Sequence, residues 1–441
     1  MTQAASRLDV RGQGASLAQP AVLTLSNAHG RQPRHFAHNA LIAQWPILAE
    51  EAFYGLAGDV VRELEPHTEA DTAALLIQLL AGFGNLIGRH PYFEAEADRH
   101  HTNLFVVLVG ETAKGRKGTS WGRVRRVLDV VDRGWTQNRV MSGLSSGEGL
   151  IDAVRDAVED KRGEIVDQGI EDKRLLVVES EFSAVLRQAS RDRNILSAVL
   201  RQAWDVGWLR NMVVSSPRRA TDAHISLIGH ITRDELLRQI TDTDVANGLA
   251  NRFLWVCVRR SKLLPEGGGE PTILPHVERL KVAALFARRI TRVRRDDEAR
   301  ELWRSVYGPL SEGKPGLLGA VIARSEAQVM RLSLIFAVLD CSQRIRMEHL
   351  AAGLAVWQYA EDSARYIFGT RMGDAIADVI LGALRARPEG MSRDAMRSDL
   401  FGRHKTSDEI SRALERLRGM GLAMVESHPT GGRAAEVWRA I

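Results

Sequence analysis

The chain has 441 residues, 44% of them hydrophobic and 26% charged, which predicts a globular protein of two or three packed units. No apolar run approaches the roughly 20 residues of a membrane helix, and the N-terminus lacks the basic-then-apolar order of a secretory signal, so we expect a cytoplasmic protein without membrane contact. The two cysteines lie in apolar runs, which argues against disulfides and zinc sites, and a net charge of +5 suits a polyanionic partner without establishing one.

The predicted elements follow from periodicity, in chain order. Apolar steps of three and four residues predict a helical N-terminal layer, and four buried-strand runs at 103–110, 174–180, 224–232 and 252–258 alternate with helical segments. This order predicts an α/β core with a mostly parallel, covered sheet. The expected divisions are a disordered tail (1–38), an N-terminal helical region (39–100), the α/β core (101–261), a Gly/Pro-rich linker (262–275), a helical lid (276–372) and a last unit (373–441).

A glycine- and lysine-containing loop follows the first buried run and precedes a helix. Residues 110–120 read Gly-Glu-Thr-Ala-Lys-Gly-Arg-Lys-Gly-Thr-Ser. In this setting backbone N–H groups and a helix N-terminus face a polyphosphate, and a lysine neutralises its charge. The sequence therefore predicts a P-loop NTPase of the RecA/AAA+-like kind that uses ATP and Mg²⁺, with a solvated basic loop as the alternative.

The loop departs from G-x-x-x-x-G-K-[ST], because Arg116 takes the lysine position and Gly118 separates Lys117 from Thr119. We assign the phosphate contact to Lys117, with Lys114 as its rival. The Mg²⁺ hydroxyl is assigned to Thr119, with Ser120 second. The residues expected to contact the nucleotide are Gly110, Thr112, Gly115, Arg116, Lys117, Gly118, Thr119 and Ser120.

Two carboxylates end the second buried run. Glu179 closes the run, and Glu181 follows on the same side of an extended chain. An NTPase needs one acid for the metal and usually another to polarise the attacking water. We assign Glu179 to the metal and Glu181 to the water; a core strand merely capped by acids is the alternative.

The third and fourth runs carry two further candidates. His230, near the end of the third, is expected to sense the γ-phosphate, with a satisfied core histidine or helix cap as the alternative. Arg252, just before the fourth, is expected to reach a neighbouring subunit's nucleotide as an arginine finger. Its alternative is a structural pair with a local acid.

The last unit reads as three helices and two short strands around a Gly-Gly turn, the order of a winged helix. Its expected nucleic-acid contacts are Arg412, Arg416, Arg418 and Arg433, although nearby acids leave a protein-docking module open. A second arginine-rich stretch, 287–300, is interpreted as a solvated helix face, with DNA contact as the alternative.

Several segments together resemble an uncharacterised P-loop family. They are FYGLAGDVV, PHTEAD, NLFVVLVGETAKGRKGTSWG, SGLSSGEGL, LLVVESEFS, HISLIGHIT and NRFLWV, within about residues 50–370. Members of that family are carried by plasmids, prophages and integrated elements, often beside or fused to primase domains, and are described as replicative helicases. The resemblance implies a ring, a hexamer, with ATP bound between subunits and a primase as partner.

A fainter similarity is to the minichromosome-maintenance branch of the AAA+ motors. The fragment ANRF at 250–253 is similar to that group's arginine-finger motif, and ARSEAQVMRLSLIFAVLD resembles its helical lid. By this likeness Arg324 or Arg331 is expected to be a second sensor of the nucleotide. The loop order Lys-Gly-Thr and the strand of His230 differ from that group.

The sequence as a whole predicts an ATP-dependent DNA helicase or translocase that acts on single-stranded or forked DNA in the replication of a mobile element. An ATP-gated DNA-binding regulator or assembly protein, without unwinding activity, is the main alternative. A defence or signalling ATPase whose last unit binds protein is a weaker one.

Overall fold

The structure, a computed structural model, describes residues 44–111, 115–191, 194–212, 218–240, 247–314, 316–369, 374–428 and 435–441. The tail expected at 1–38 lies outside these ranges. The helices are α1 (Gly55–Leu64), α2 (Thr72–Leu86), α3 (Lys117–Val131), α4 (Arg133–Asn138), α5 (Gly147–Asp152), α6 (Phe182–Ala189), α7 (Leu196–Asp205), α8 (Arg233–Gln239), α9 (Leu274–Ala287), α10 (Asp297–Ser311), α11 (Gly316–Ile322), α12 (Ser325–Leu339), α13 (Met347–Phe368), α14 (Ala375–Ala386), α15 (Arg393–Ala395) and α16 (Ser407–Gly419). The strands are β1 (Tyr92–Ala95), β2 (Asp98–His101), β3 (Phe105–Gly110), β4 (Val140–Met141), β5 (Val158–Glu159), β6 (Ile165–Asp167), β7 (Arg174–Glu179), β8 (Leu209–Asn211), β9 (Arg218–Ala220), β10 (His224–Thr232), β11 (Phe253–Cys257), β12 (Arg292–Arg295), β13 (Arg344–Ile345), β14 (Ala423–His428) and β15 (Ala435–Ala440).

The central sheet has five parallel strands in the order β11-β3-β10-β7-β4. Four of them are the predicted apolar runs, which confirms the mixed α/β fold with a parallel sheet. The fifth, β4, has only two residues and was missed because it is too short to show a period. Thr232 of β10 lies opposite Gly110 of β3, and Gly229 lies opposite Glu179 of β7. The carboxyl ends of β3, β10 and β7 therefore share one edge.

Both faces of this sheet are covered, which explains its continuous apolar strands. On one face α2 packs close, and the buried Asn85 amide donates to the carbonyls of Leu175 and His224 at 3.0 and 2.9 Å. On the other face Gly229 lies against the Phe182 ring of α6. A Cβ at Gly229 would lie 2.7 Å from ring carbons, so this position requires glycine.

The apolar core crosses the predicted divisions. One buried cluster runs from Ala52 to Phe368 and a second from Ala377 to Trp438. The regions expected as an N-terminal layer, a core and a lid thus share one interior. Helix α12 was expected in the lid, but almost all of its residues are buried. Helix α12, which lies in the region 276–372 that was predicted as a lid, is therefore part of this shared interior.

A second sheet has the strand order β13-β12-β1-β2. Strands β1 and β2 precede the central sheet in the chain, and β12 and β13 follow it, so this sheet joins distant parts of the sequence. Strand β12 pairs in parallel with β1 and β13, while β1 and β2 form an antiparallel pair. The stretch 287–300, expected as a solvated helix face, therefore contains a strand. The exposed Arg292 and Arg294 alternate with the buried Val293 and the partly buried Arg295, which is the period of a strand. This alternation is not recognisable in the sequence because three of the four residues are arginines.

The last unit has α14, α15 and α16 followed by the antiparallel pair β14 and β15, with Trp438 in its own core. This is the predicted order of elements. None of the described helices is both long and apolar enough to cross a bilayer.

Candidate nucleotide site

The predicted phosphate loop joins β3 to α3. Gly110 ends the fully buried β3, and α3 begins at Lys117. Its N-cap residue, Arg116, has left-handed backbone angles (φ 54°) and makes no side-chain cap, so the first N–H groups of α3 are not used by a cap. A non-glycine residue in this conformation is uncommon and is often found at functional sites. Thr112 and Lys114 lie outside the described residues.

The two basic residues of the loop that the structure describes, Arg116 and Lys117, point to different places. The Arg116 guanidinium pairs outward with Glu69 at 2.6 Å. Lys117 is only 9% exposed, and its Nζ lies 3.8 Å from where a Cβ on Gly115 would be. That same position is 3.8 Å from the Gly110 Cα, so the Lys117 ammonium lies close to the two described ends of the loop. Of these two residues, Lys117 has the position a phosphate-binding lysine needs.

The two hydroxyl candidates are also distinguishable. Ser120 is fully buried and its Oγ donates to the carbonyl of Lys117 at 2.7 Å, which is a local helix contact. Thr119 and Gly118 are exposed on the first turn of α3, and a Cβ at Gly118 would meet no atom within 4 Å. Thr119 is therefore accessible at the N-terminus of α3, whereas the Ser120 hydroxyl is not.

The predicted carboxylates lie across one intervening strand from this loop. Because β10 separates β3 from β7, the two strands are about 10 Å apart, which leaves room for a terminal phosphate and a cation. Glu179 accepts a hydrogen bond from the Leu144 backbone N–H at 2.6 Å through Oε1. Glu181 is exposed at the start of α6 and makes no cap hydrogen bond there.

His230 lies on the strand between them, with its side chain directed toward α2. Its Nε2 is 2.9 Å from the Gln78 side-chain nitrogen, so the ring accepts this bond when the Gln78 amide donates. Burial, and then the nearby Lys117 ammonium, lowers the pKa of His230 to about 4. His230 is therefore neutral at physiological pH, and the structure places it in the core arrangement that was its alternative.

Glu235 is a carboxylate near the loop that the sequence analysis did not assign. It forms a reciprocal capping box with Thr232 at the start of α8. The Thr232 hydroxyl and N–H bonds, followed by the Lys117 and Arg187 charges, lower the pKa of Glu235. The T-x-x-E pattern at 232–235 could have revealed the cap, but only the fold brings Glu235 near Lys117.

A second unassigned group lies beside the loop on α13. The Tyr366 hydroxyl donates to Glu111 at 2.7 Å, and the Tyr366 ring meets Trp45 edge-on with centroids 5.1 Å apart. The Arg233 guanidinium lies 5.3 Å from the Tyr366 ring centroid. Aromatic rings beside a phosphate loop can pack against the nucleobase of a bound nucleotide. No local sequence pattern indicates this contact, since 255 residues separate Tyr366 from Glu111.

The three arginines expected from the AAA+ likeness lie at the opposite, amino edge of the sheet. Arg252 is 7% exposed and pairs with Asp205 of the same chain at 2.6 Å. Arg324 approaches the same carboxylate at 3.4 Å. Arg331 is 1% exposed and donates to the carbonyls of Asn103 and Trp204 at 2.8 and 2.7 Å.

These contacts correct the three expectations. Arg252 is in its alternative arrangement, a pair with a local acid, and would have to break that pair to reach a neighbour. Arg331 is fully enclosed before the start of β3, so it cannot contact a nucleotide at the other edge of its own sheet. Arg324 belongs to the same amino-edge group as Arg252 through Asp205.

A cavity of about 1010 Å³ opens at this amino edge, lined partly by Arg89, Arg324, Arg331, His101 and His224. Burial lowers the pKa of His101 to about 2 and that of His224 to about 3, so both rings stay neutral. The cavity lies across the sheet from the loop and is not part of the candidate nucleotide site.

The shared carboxylate makes Asp205 important for stability. We expect Asp205→Ala to lower the free energy of unfolding by about 2–3 kcal/mol, because Arg252 is left buried without its partner. This loss of free energy is smaller than for a fully buried ion pair, because Asp205 is 32% exposed and solvent screens part of its charge. Thermal melting followed by circular dichroism measures it.

The matched control is Glu301→Ala, which removes a 78%-exposed partner of Arg304. Exposed pairs contribute little, so its melting temperature should be close to that of the unaltered chain. Equal melting of the two variants would contradict a structural role for Asp205.

The predicted nucleic-acid residues of α16 are exposed, and two of them have acidic neighbours. Arg418 pairs with Glu415 at 3.0 Å, and Arg416 lies 3.8 Å from Asp374. Arg412 donates to the Asp408 carbonyl at 3.4 Å. Arg433 lies outside the described residues. The exposed surface of α16 is thus of mixed charge.

The residues present fit Mg²⁺ only as a shared site. Among the described residues, no three His, Cys, Asp or Glu side chains converge to hold a metal alone. Mg²⁺ in nucleotide enzymes is commonly held by one or two protein groups together with substrate phosphates. Thr119 and Glu179 could supply these groups.

No family model matches this sequence, and no curated protein is significantly similar to it. The family resemblance stated above therefore stays an expectation that depends on the motifs.

Proposed function

We propose that this chain is a P-loop ATPase that works as a DNA helicase or translocase in the replication of a mobile element. The observation that carries the proposal is the position of the buried Lys117 ammonium close to Gly110 and Gly115, the described ends of the loop that follows β3. The carboxylate-bearing strand β7 lies one strand away at the same edge. A buried cation, a helix N-terminus and nearby acids are what a triphosphate site requires.

In this proposal each residue of the chain has a defined task. Lys117 neutralises the terminal phosphates of ATP, and the N-terminus of α3 directs its N–H groups at them. Thr119 and Glu179 would hold Mg²⁺, which supplies charge neutralisation for the leaving phosphate when bound. Glu181, exposed next to β7, orients and deprotonates the attacking water. Neutral His230 contributes shape and hydrogen bonding rather than charge.

The DNA side of the proposal depends on the last unit and on the family resemblance. Three helices and a hairpin with a separate core support a winged-helix module. The proposed assembly is a homo-oligomeric ring, a hexamer, working with a primase. The arginine that would complete a neighbour's site is not assigned, because Arg252 is engaged with Asp205.

The test measures ATP turnover with and without single-stranded DNA on material of known mass, and then strand displacement on a forked duplex. We expect Mg²⁺-dependent turnover that single-stranded DNA increases, and unwinding that requires ATP. Turnover with DNA binding but without displacement would favour the ATP-gated regulator. Absence of ATP turnover under all these conditions would remove the proposal.

A further inference from the structure

Two neighbouring strands of the second sheet place arginines directly opposite each other. In the parallel pair β12 and β13, Arg294 lies opposite Arg344. Both side chains are exposed, whereas the neighbouring Val293 and Ile345 are buried. Like charges directly opposite on a sheet are destabilising. This pair of arginines does not stabilise the fold by itself, which suggests that an anion binds between the two guanidinium groups.

The same arginines line an open cavity of about 220 Å³. Its lining consists of Arg292, Arg294, Arg295, Arg300, Gln343 and Arg344, and includes no carboxylate. Acids outside the lining neutralise part of it: Glu94 pairs with Arg292 at 3.0 Å, and Asp297 with Arg300 at 2.7 Å. Arg294 and Arg344 form no ion pair with any described residue. We call this group the arginine pocket.

Arg295, the partly buried arginine of the pocket, packs against two aromatic rings. The Arg295 guanidinium lies 4.4 Å from the Phe93 ring centroid and 4.0 Å from that of Trp303. Its Nε and Nη2 have no hydrogen-bond partner among the described residues. Burial lowers the pKa of Arg295 to about 10, so it stays charged at physiological pH. The positive charge of Arg295, held between these two rings, adds to the attraction of the pocket for an anion.

We propose that the arginine pocket binds the backbone phosphates of a nucleic-acid strand. Guanidinium groups match phosphate oxygens in a bidentate geometry. Arg292 and Arg294, two residues apart on one face of β12, are about 6.6 Å apart along the strand, so an extended polyanion can meet both. The lining has one amide, Gln343, and few groups that could read bases, so binding is independent of sequence. This inference adds a contact surface to the DNA partner of the proposed function and depends on that partner.

The experiment compares the double variant Arg294→Ala/Arg344→Ala with the unaltered full-length chain. Fluorescence anisotropy follows an end-labelled oligothymidylate of about 20 nucleotides, longer than typical single-strand sites, without ATP and over a series of salt concentrations. We expect affinity to fall about tenfold near physiological salt. The slope of log affinity against log salt should become shallower by about 1.4, which is about 0.7 for each lost phosphate contact.

Stability provides a second readout, because both residues are exposed and repel each other. The melting temperature of the double variant should stay equal or rise while DNA binding falls. The matched control, Arg126→Ala/Arg279→Ala, removes the same charge from two other exposed positions, and should retain affinity and slope.

Three results obtained with the variants would overturn the inference. They are unchanged affinity and slope in the double variant, an equal loss of affinity in the control pair, and a loss of polyglutamate affinity in the double variant equal to its loss of DNA affinity, which would mean general charge attraction. Absence of DNA binding by the unaltered chain would overturn it as well. ATP turnover without DNA, measured in parallel, reports on the proposed nucleotide site separately. If the unaltered chain shows no ATP turnover but its DNA binding still depends on the arginine pocket, the proposed ATPase activity would be wrong and the inference about the pocket would stand.

Discussion

Replacing Lys117 with alanine is expected to reduce ATP turnover by about 10²–10³-fold or more, the range for removing one preorganised charged or hydrogen-bonding group from the transferring phosphate. The physical reason is the position of its ammonium close to the described ends of the loop, where burial lowers the pKa of Lys117 and little water screens its charge. Phosphate release measures turnover, and circular dichroism shows whether the fold is kept.

Two neighbouring variants make this test specific. Arg116→Ala removes a guanidinium that pairs outward with Glu69, so a much smaller loss is expected. Lys114→Ala tests the rival lysine of the loop. Should Lys114→Ala abolish turnover while Lys117→Ala keeps it, the phosphate contact would move to Lys114. Normal turnover in the Lys117 variant would remove the assignment.

The fold was predictable where burial leaves a simple pattern. Strands β3, β7, β10 and β11 consist mainly of apolar residues because a parallel sheet covered on both faces favours them. The short β4, and β12 with its exposed arginines, were not predictable because length or charge masks the period. The burial of α12 was not predictable either, because it depends on distant packing partners that a sequence window does not contain.

The candidate site was also predictable only in part from the sequence. The loop could be located from its local order of strand, glycines, lysine and helix, and Glu179 and Glu181 from the end of an apolar run. The surroundings depend on contacts between distant segments. The Tyr366 hydroxyl reaches Glu111 across 255 residues, and Gln78 meets His230 across 152. The direction of an arginine is equally non-local, since Arg252 faces inward only because α7 ends at Asp205 beside it.

Changing Glu181 to glutamine is expected to leave ATP binding intact and reduce hydrolysis by about 10²–10⁴-fold, the usual contribution of a general base. The amide keeps the size of the side chain but cannot accept a proton. Glu181 is exposed at the carboxyl edge and is not used as a helix cap, so the change should not affect stability. A fluorescent ATP analogue measures binding, and phosphate release under single-turnover conditions measures the chemical step.

The nearby Glu235 sharpens this test, because it is the other carboxylate that the fold brings close to Lys117. Its Oε2 already accepts from the Thr232 hydroxyl at 2.8 Å and the Thr232 N–H at 3.3 Å. A carboxylate engaged in a cap is a poorer base, since those bonds stabilise its charged form and lower its pKa. Glu235→Gln should therefore weaken the cap of α8 and change melting more than the chemical step. A chemical step lost in Glu235→Gln and kept in Glu181→Gln would transfer the role of base from the end of β7 to the start of α8.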